Sequence, residues 1–443
     1  MPPTEGNTEP PRLPEIQDPQ GNAAQQTGDA NEGIDEDGGI QRGQLPTGLN
    51  HPERWRFIPE GRLIEGTVGD RLWVSTFVFP IYAYSEDVGS VFGVNFSDLN
   101  FGGSRRKEFL NVIATVSTEG QRNFAAFWRS RPEHYEVDGG GVVFEENSAV
   151  SVGGGYNKTL TRRFFGLGAD SPESAETSYS NERSAASFGF TSSFPQAGDD
   201  FVYDVNVIGE HRGLSSGHVT DIPSTDVAFP TLFADGDSYD MLTVKAAARY
   251  DTLDSPKNPY HGFSAGGEVD FKPVQSHNNV GVVAAINAEW AHEVPSPFHN
   301  GGRPGEENPP TDTVAIGGFV QSASGNLPFW SLPSLGGGKT QRGYIANRFT
   351  DRAAWHVATE YRFWPISRGV ALSDTFRIER MGAAIFYEAG TVARRLDRLG
   401  SATIKQSYGF SLRMTLERTA LFRIDFGLSD EGAQTTLGFG LSF

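Results

Sequence analysis

Segments of alternating apolar and polar residues along 443 residues predict an all-β fold: a sixteen-stranded antiparallel transmembrane β-barrel behind an acidic N-terminal segment. The pattern is clearest at the carboxyl terminus, where Leu437, Phe439, Leu441 and Phe443 alternate with Thr436, Gly438, Gly440 and Ser442. Successive strand side chains point to opposite faces, so the bulky set is expected against lipid, with Phe439, Leu441 and Phe443 as the terminal barrel signal. The preceding strands repeat the pattern with charge on the second face: Tyr408, Phe410, Leu412 and Met414 alternate with Gly409, Ser411, Arg413 and Thr415, and Phe422, Ile424 and Phe426 with Arg423, Asp425 and Gly427. A β-sandwich has a dry inner face where such charges would be costly, whereas a wide barrel lines water with them. The chain has no run of about 18 apolar residues, so a membrane crossing requires a closed barrel.

Residues 1–50 hold nine acidic and two basic residues and no aromatic, with the cluster Asp35-Glu36-Asp37, and are expected to be disordered. At Met1 the basic and apolar regions of a secretory signal are absent, which suits a mature or recombinant chain. Between residues 51 and 71, Trp55, Phe57, Ile58, Leu63 and Ile64 mark a lead-in segment at the periplasmic side or in the barrel mouth. Residues 72–443 form the barrel, with strands expected near 73–84, 88–100, 107–119, 120–131, 146–157, 176–193, 201–213, 239–252, 260–273, 278–293, 310–324, 352–364, 380–389, 406–417, 420–428 and 433–443. The stretch from Pro132 to Glu145 has no clear assignment. With the amino terminus in the periplasm, the connections 158–175, 214–238, 325–351 and 390–405 are extracellular, while 294–309 and 365–379 are unusually long for periplasmic turns.

Composition removes several functions. There is no cysteine, hence no disulfide or thiolate metal site, and a net charge of -18 argues against a nucleic-acid partner. Neither a Gly-x-Ser-x-Gly elbow nor a His-Glu-x-x-His helix occurs, so an enzyme is not expected and no cofactor or metal is called for. Asp235-Gly236-Asp237 with Asp240 lacks the length of a full calcium loop and is read as an acidic loop.

Between the eleventh and twelfth strands lies Leu335-Gly336-Gly337-Gly338-Lys339-Thr340-Gln341-Arg342-Gly343-Tyr344, followed by Glu360-Tyr361-Arg362-Phe363. Strand parity places Trp355, Val357, Tyr361 and Phe363 on one face and Glu360 with His356 and Arg362 on the other; in the next strand, Met381, Ala383, Ile385 and Tyr387 face out and Glu388 faces in. A guanidinium binds carboxylates through a planar fork, so Arg342 between Glu360 and Glu388 suits the holding of a Gly-rich loop, with a surface turn and an exposed arginine as the alternative. This region resembles the sixth loop of the BamA, TamA and FhaC superfamily of outer-membrane assembly and two-partner secretion barrels, whose Arg-Gly-Phe/Tyr tip folds into the lumen. That resemblance implies that loop 325–351 docks in the lumen. Gln341, Arg342, Gly343 and Tyr344 supply that tip, and Phe386-Tyr387-Glu388-Ala389-Gly390 resembles the family's Phe-x-Asp-x-Gly with Glu for Asp. Asp251-Thr252-Leu253-Asp254 resembles its Asp-Thr-Arg-Asp turn, and Arg163-Phe164-Phe165-Gly166-Leu167-Gly168 an early-barrel segment.

The resemblance implies a bacterial outer-membrane protein that inserts or translocates polypeptide, with unfolded outer-membrane or secreted chains as partners besides lipid. Family members usually carry periplasmic POTRA domains, and residues 1–71 show no convincing one, which suggests a barrel-only branch or a separate periplasmic partner; the aromatic-rich lipid face would also allow a homodimer. In the family, the junction of first and last strands acts as a lateral gate. Here Pro80 lacks a ladder N–H and Gly438 and Gly440 offer little packing, so the seam is expected to be weak. The alternatives are a structural or oligomerising barrel without transport, and a passive channel.

Overall fold

The computed structural model describes residues 45–443 except 234–235, 277–278, 300–310, 368, 373–376 and 417–419. Sixteen strands pair antiparallel in chain order into one sheet. They are β1 (Thr76–Ser85), β2 (Gly89–Asp98), β3 (Glu108–Ser117), β4 (Arg122–Ser130), β5 (Ala149–Phe164), β6 (Thr177–Phe194), β7 (Phe201–Ser216) and β8 (Ser238–Asp251). The second half comprises β9 (Gly262–Gln275), β10 (Gly281–Val294), β11 (Asp312–Gly325), β12 (Ala353–Ile366), β13 (Arg380–Ala393), β14 (Lys405–Leu416), β15 (Ala420–Ser429) and β16 (Gly432–Phe439). The alternation read from sequence sets the faces of this barrel. Tyr408, Phe410 and Leu412 are exposed on the outside, whereas Ser407, Ser411 and Arg413 of the same strand are buried.

Among the boundaries that differ from expectation, two change the path of the chain. Strand β5 runs to Phe164, where 157 was expected, and pairs with β6 across a register shift between Thr159 and Arg162. At the other end β16 stops at Phe439, not 443. Gly440 takes φ 71°, its N–H donates to the Leu421 carbonyl (2.8 Å), and Arg423 Nε donates to its own carbonyl (2.9 Å), which turns the chain off the ladder. Glycine meets no Cβ penalty at positive φ, so the turn falls where the sequence permits it.

The unassigned stretch after β4 supplies two short strands, His134–Glu136 and Val142–Glu145, and the latter pairs with Trp55–Ile58 of the lead-in to make a three-stranded sheet. All four residues of Trp55–Ile58 are buried, and the sheet is apolar on both sides. Trp55, Phe57, Val137 and Val143 pack with Leu45 and Leu49 on one side, and Ile58, Leu63, Val142 and Phe144 on the other. Ion pairs tie this small sheet and the chain following it to the barrel: Arg54 to Asp200 (2.6 Å), Arg62 to Glu379 (3.1 Å) and Arg71 to Asp98 (2.9 Å). The sheet sits at the barrel end where β4 leaves and β5 begins, the near end. At the far end, Phe164, Tyr179, Leu214 and Phe329 cluster with Phe229, Phe233 and Trp330 from the long connections.

Among the described residues no ladder joins β1 to β16. By alternation Phe79, opposite Asn95, lies on the inner face of β1, and Phe422, opposite Met414, on the outer face of β15. Their rings nevertheless meet at 6.0 Å, so the two edges of the sheet overlap. Trp73 and Phe77 extend the inner aromatic face of β1, with Trp73 lying 5.8 Å from Phe79.

Candidate functional site: a loop and a terminal peptide meeting in the lumen

The connection from β11 to β12 folds back into the barrel. Ser334–Leu335 pairs with Phe349–Thr350 at its base, and Leu335, Tyr344 and Phe349 pack against Ala354 of β12 and Val392 of β13. Gly336 and Gly337 take φ of 115° and 91°, which reverses the chain. At the tip Gly343 is needed for close approach, because a Cβ there would lie 2.5 Å from the Leu428 carbonyl. Arg342 carries no exposed surface. Its backbone N–H and Nε donate to the two oxygens of Glu388 (2.6 and 2.9 Å), and Nη1 donates to Glu360 Oε1 (2.8 Å). The face of the guanidinium stacks 3.5 Å from the Phe386 ring centroid.

The other tip residues are held from different strands. Gln341 Nε2 donates to the Lys405 carbonyl (3.0 Å) and its N–H to His356 Nε2 (3.4 Å). Tyr344 donates to Asp430 (2.5 Å), and Arg348 Nε to Glu431 (2.7 Å).

Three further participants were not singled out from sequence. Arg413 donates to both oxygens of Glu360 (2.8 Å each), Asp425 accepts from Arg342 Nη1 at 3.5 Å, and Arg423 pairs with Asp425. With Arg362, which donates to Glu360 at 2.9 Å, the cluster holds four guanidiniums and three carboxylates. The available signal was the inward parity of every one of these residues; what it lacked was the depth each occupies in the barrel.

The C-terminal peptide enters the same space. Leu441 is 9% exposed and packs with Trp364 and Leu421, its carbonyl accepts from Lys339 Nζ (2.9 Å), and Ser442 donates to Glu360 Oε1 (3.2 Å). The Phe443 ring lies 5.2 Å from the Arg362 guanidinium and so close to β11 that a Cβ on Gly317 would meet it at 2.2 Å. Thus, of the three terminal residues expected against lipid, Phe439 lies outside at 71% exposure, while Leu441 and Phe443 are inside. Periodicity cannot extend past a glycine that turns the strand. Of the seam residues, Pro80 stays in register opposite Val94, and Gly438 makes room for Arg423, whose Nε would lie 2.8 Å from a Cβ there.

A model of the Omp85 superfamily domain matches residues 100–443. The chain belongs to the Omp85 superfamily. This assigns it to the outer-membrane β-barrels and accounts for the sixteen strands. Among solved structures, BamA from Haemophilus ducreyi lacking POTRA domains 1-3 is 13% identical with a TM-score of 0.48, over 83% of this chain and 69% of that one. CdiB from Acinetobacter baumannii is 11% identical with a TM-score of 0.44, over 83% of this chain and 59% of that one, so the chain spans well under two thirds of CdiB's length. No curated protein matches the sequence. In this Omp85 chain the matched region takes in the lumenal loop, its charge cluster and β3–β16, and begins after β1, β2 and the lead-in strand.

Proposed function

We propose that this Omp85 protein, with its amino terminus in the periplasm, inserts or translocates polypeptides through the seam between β1 and β16, and that the docked loop holds the barrel wall rigid beside that seam. The observation that carries the reading is the state of the edges: the inner face of β1 overlies the outer face of β15 at Phe79–Phe422, and among the described residues the sheet order runs from β1 to β16 without a ladder between them. A strand edge without a partner presents unpaired N–H and C=O groups, which in lipid cost several kcal/mol each and which an incoming extended polypeptide satisfies. The inward turn at Gly440 shortens β16 and lengthens the unpaired edge. Removing the ladder's rigidity at one seam calls for compensation in the wall, and Arg342 supplies it by crosslinking β12 and β13 through Glu360 and Glu388.

Lipid, and unfolded outer-membrane or secreted chains, are the partners of this reading, and no enzymatic step enters it. A passive channel fits less well because the loop and the C-terminal peptide occupy the lumen. The experiment adds an unfolded outer-membrane protein to liposomes with and without the purified barrel and follows protease-protected folded product. A cysteine pair placed across β1 and β16 gives an unambiguous crosslink, since the chain has no cysteine of its own. Acceleration that the oxidised crosslink abolishes and reduction restores is the expected result. Acceleration indifferent to the crosslink refutes the seam, and no acceleration points to a structural barrel or one that needs a separate periplasmic partner.

A further inference from the structure

The connection from β13 to β14 folds back over the outside of the barrel wall at its far end. Its 3₁₀ turn, Leu396–Ser401, contributes Leu399, which is buried with Ala353 and Ala393 and packs against Trp355 and Ala402. Ala353 and Trp355 are on the outer face of β12 by alternation, and Ala393 lies opposite Ala353 in β13. Thr391, opposite Trp355, donates to the Thr403 carbonyl (2.6 Å) and fastens the returning chain to the same face. A membrane strand crosses the hydrocarbon in about 9–11 residues. Counted from the exposed Met381, that length of β13 ends at about residue 390, where the turn replaces lipid as the cover of the wall. The paired, exposed Tyr387 and Tyr408 lie just inside that level, as interfacial aromatics do. The turn is therefore at the height of the lipid headgroups.

Two arginines converge on this turn. The Arg398 N–H donates to the Arg395 carbonyl (3.0 Å), and at three residues per turn side chains i and i+3 stand on the same side. Their Nε atoms lie 3.0 and 4.0 Å from the two oxygens of Asp397, so both guanidiniums share one carboxylate. Two cations against one anion leave the triad with a net positive charge, and side-chain exposures of 74% and 72% present the remaining N–H groups outward. Leu396 and Ile404 of the same connection are each half exposed, so the segment shows apolar surface beside its charges. Trp355, on which the turn rests, also walls an open groove of about 670 Å³ on the outer face of β9–β12. Cross-strand pairing aligns Trp355 with Val320 and Ile286; Gly318 and Ala288 form the floor in the next row, and Trp290 stands on the other side. Such a trough suits a hydrocarbon chain, which recovers dispersion contacts along its length.

We propose that this surface binds a membrane lipid with an anionic phosphate headgroup, the phosphate held by Arg395 and Arg398 and an acyl chain lying in the groove beneath Trp355. Guanidinium forks engage phosphate oxygens in pairs, and exposed arginines at a lipid surface attract anionic headgroups. A soluble phosphate would leave the groove and the exposed Leu396 and Ile404 without a role, and a neutral lipid would leave the arginines without one. The site lies on the wall of β9–β13, apart from the β1–β16 seam, so it stands whether or not that seam passes polypeptide.

The test uses the full-length protein in a non-ionic detergent, with native mass spectrometry counting bound dioleoyl phosphatidic acid and, separately, dioleoyl phosphatidylcholine as each is titrated. The expected result is a saturable phosphatidic acid site, about tenfold or more tighter than any for phosphatidylcholine. Replacing both arginines, Arg395→Gln with Arg398→Gln, should bring the two lipids to nearly equal affinity. Ala288→Leu raises the floor of the groove and leaves the arginines alone, so it should weaken both lipids and keep their ratio. Each variant alters exposed side chains, and migration of the unheated barrel on a gel confirms that it is folded. Equal affinity for the two lipids in the parent, a preference that survives the double substitution, or unchanged binding in Ala288→Leu overturns the proposal. So does displacement of the lipid by millimolar inorganic phosphate, which would make this a soluble-anion site, or a dimer that Ala288→Leu abolishes, which would give the groove to a second copy of the chain.

Discussion

Arg342→Ala is the sharpest perturbation this structure offers, because the loss can be apportioned atom by atom. The substitution keeps the backbone N–H that donates to Glu388 but removes Nε from Glu388, Nη1 from Glu360 and the ring stack on Phe386. Glu360 keeps Arg362 and Arg413, so its charge remains compensated. Glu388 does not: it retains the Arg342 N–H and the Ser407 hydroxyl (2.8 Å), and the nearest other basic group is His356 at 3.8 Å. Both Arg342 and Glu388 are fully buried, so solvent screening gives no discount, and breaking such a pair costs about 3–5 kcal/mol. The assay is the denaturant midpoint of the folded barrel, read by its faster gel migration before heating. Since the damage is an orphaned carboxylate, Glu388→Gln in the Arg342→Ala background should recover stability, with a coupling of about 2 kcal/mol, within the 0.5–3 kcal/mol seen for contacting pairs. Glu360→Gln in the same background should not, because it leaves Arg362 and Arg413 facing a neutral amide. Strict additivity of Arg342→Ala with Glu388→Gln, or equal rescue by Glu360→Gln, would refute the apportionment.

Two further predictions concern the ends of the barrel. Gly317→Ala places a Cβ 2.2 Å from the Phe443 ring; overpacking of about 1–3 kcal/mol is enough to displace the tail. Carboxypeptidase should therefore remove Phe443 and Ser442 at least several times faster than from the parent, as followed by mass, and an unchanged rate would mean the ring is not seated against β11. In the lead-in, the paired hydrogen bonds from Arg105 (3.0 and 2.9 Å) hold the Glu60 carboxyl below its ordinary value of 4.5. A depressed carboxyl stabilises the folded state above its unfolded pKa and loses that contribution as pH falls through the folded one, so proteolysis of the lead-in should rise below about pH 4.5. Glu60 is partly exposed, which limits the effect to a surface pair's ~0–1 kcal/mol. In Glu60→Gln the acid-dependent rise should shrink, the part left belonging to pairs such as Arg54–Asp200 and Arg62–Glu379, and an identical pH profile in both proteins would dispose of the assignment.

What the sequence determined by itself is whatever depends on neighbours a few residues away. Alternation at period two is a property of the strand, so the strand order from β2 to β15 and the inward aim of Glu360 and Glu388 were legible before any contact was known. The glycines at 336, 337 and 343 likewise marked a loop that must reverse and approach another backbone. Parity assigns a face but no height, however, and Arg413, Arg423 and Asp425 join the Arg342 cluster only because the folded barrel brings them to the level of the loop tip. The stretch 132–145 has no period of its own and becomes strand by pairing His134–Glu136 with Val142–Glu145 and the latter with Trp55–Ile58, 84 to 90 residues earlier. The terminal peptide carries a lipid-facing pattern to its last residue, yet Arg423, Lys339 and Glu360 hold it inside. Buried hydrogen bonds to charged groups outweigh the burial of one aromatic in lipid, and those partners come from three segments that the chain's local pattern does not connect.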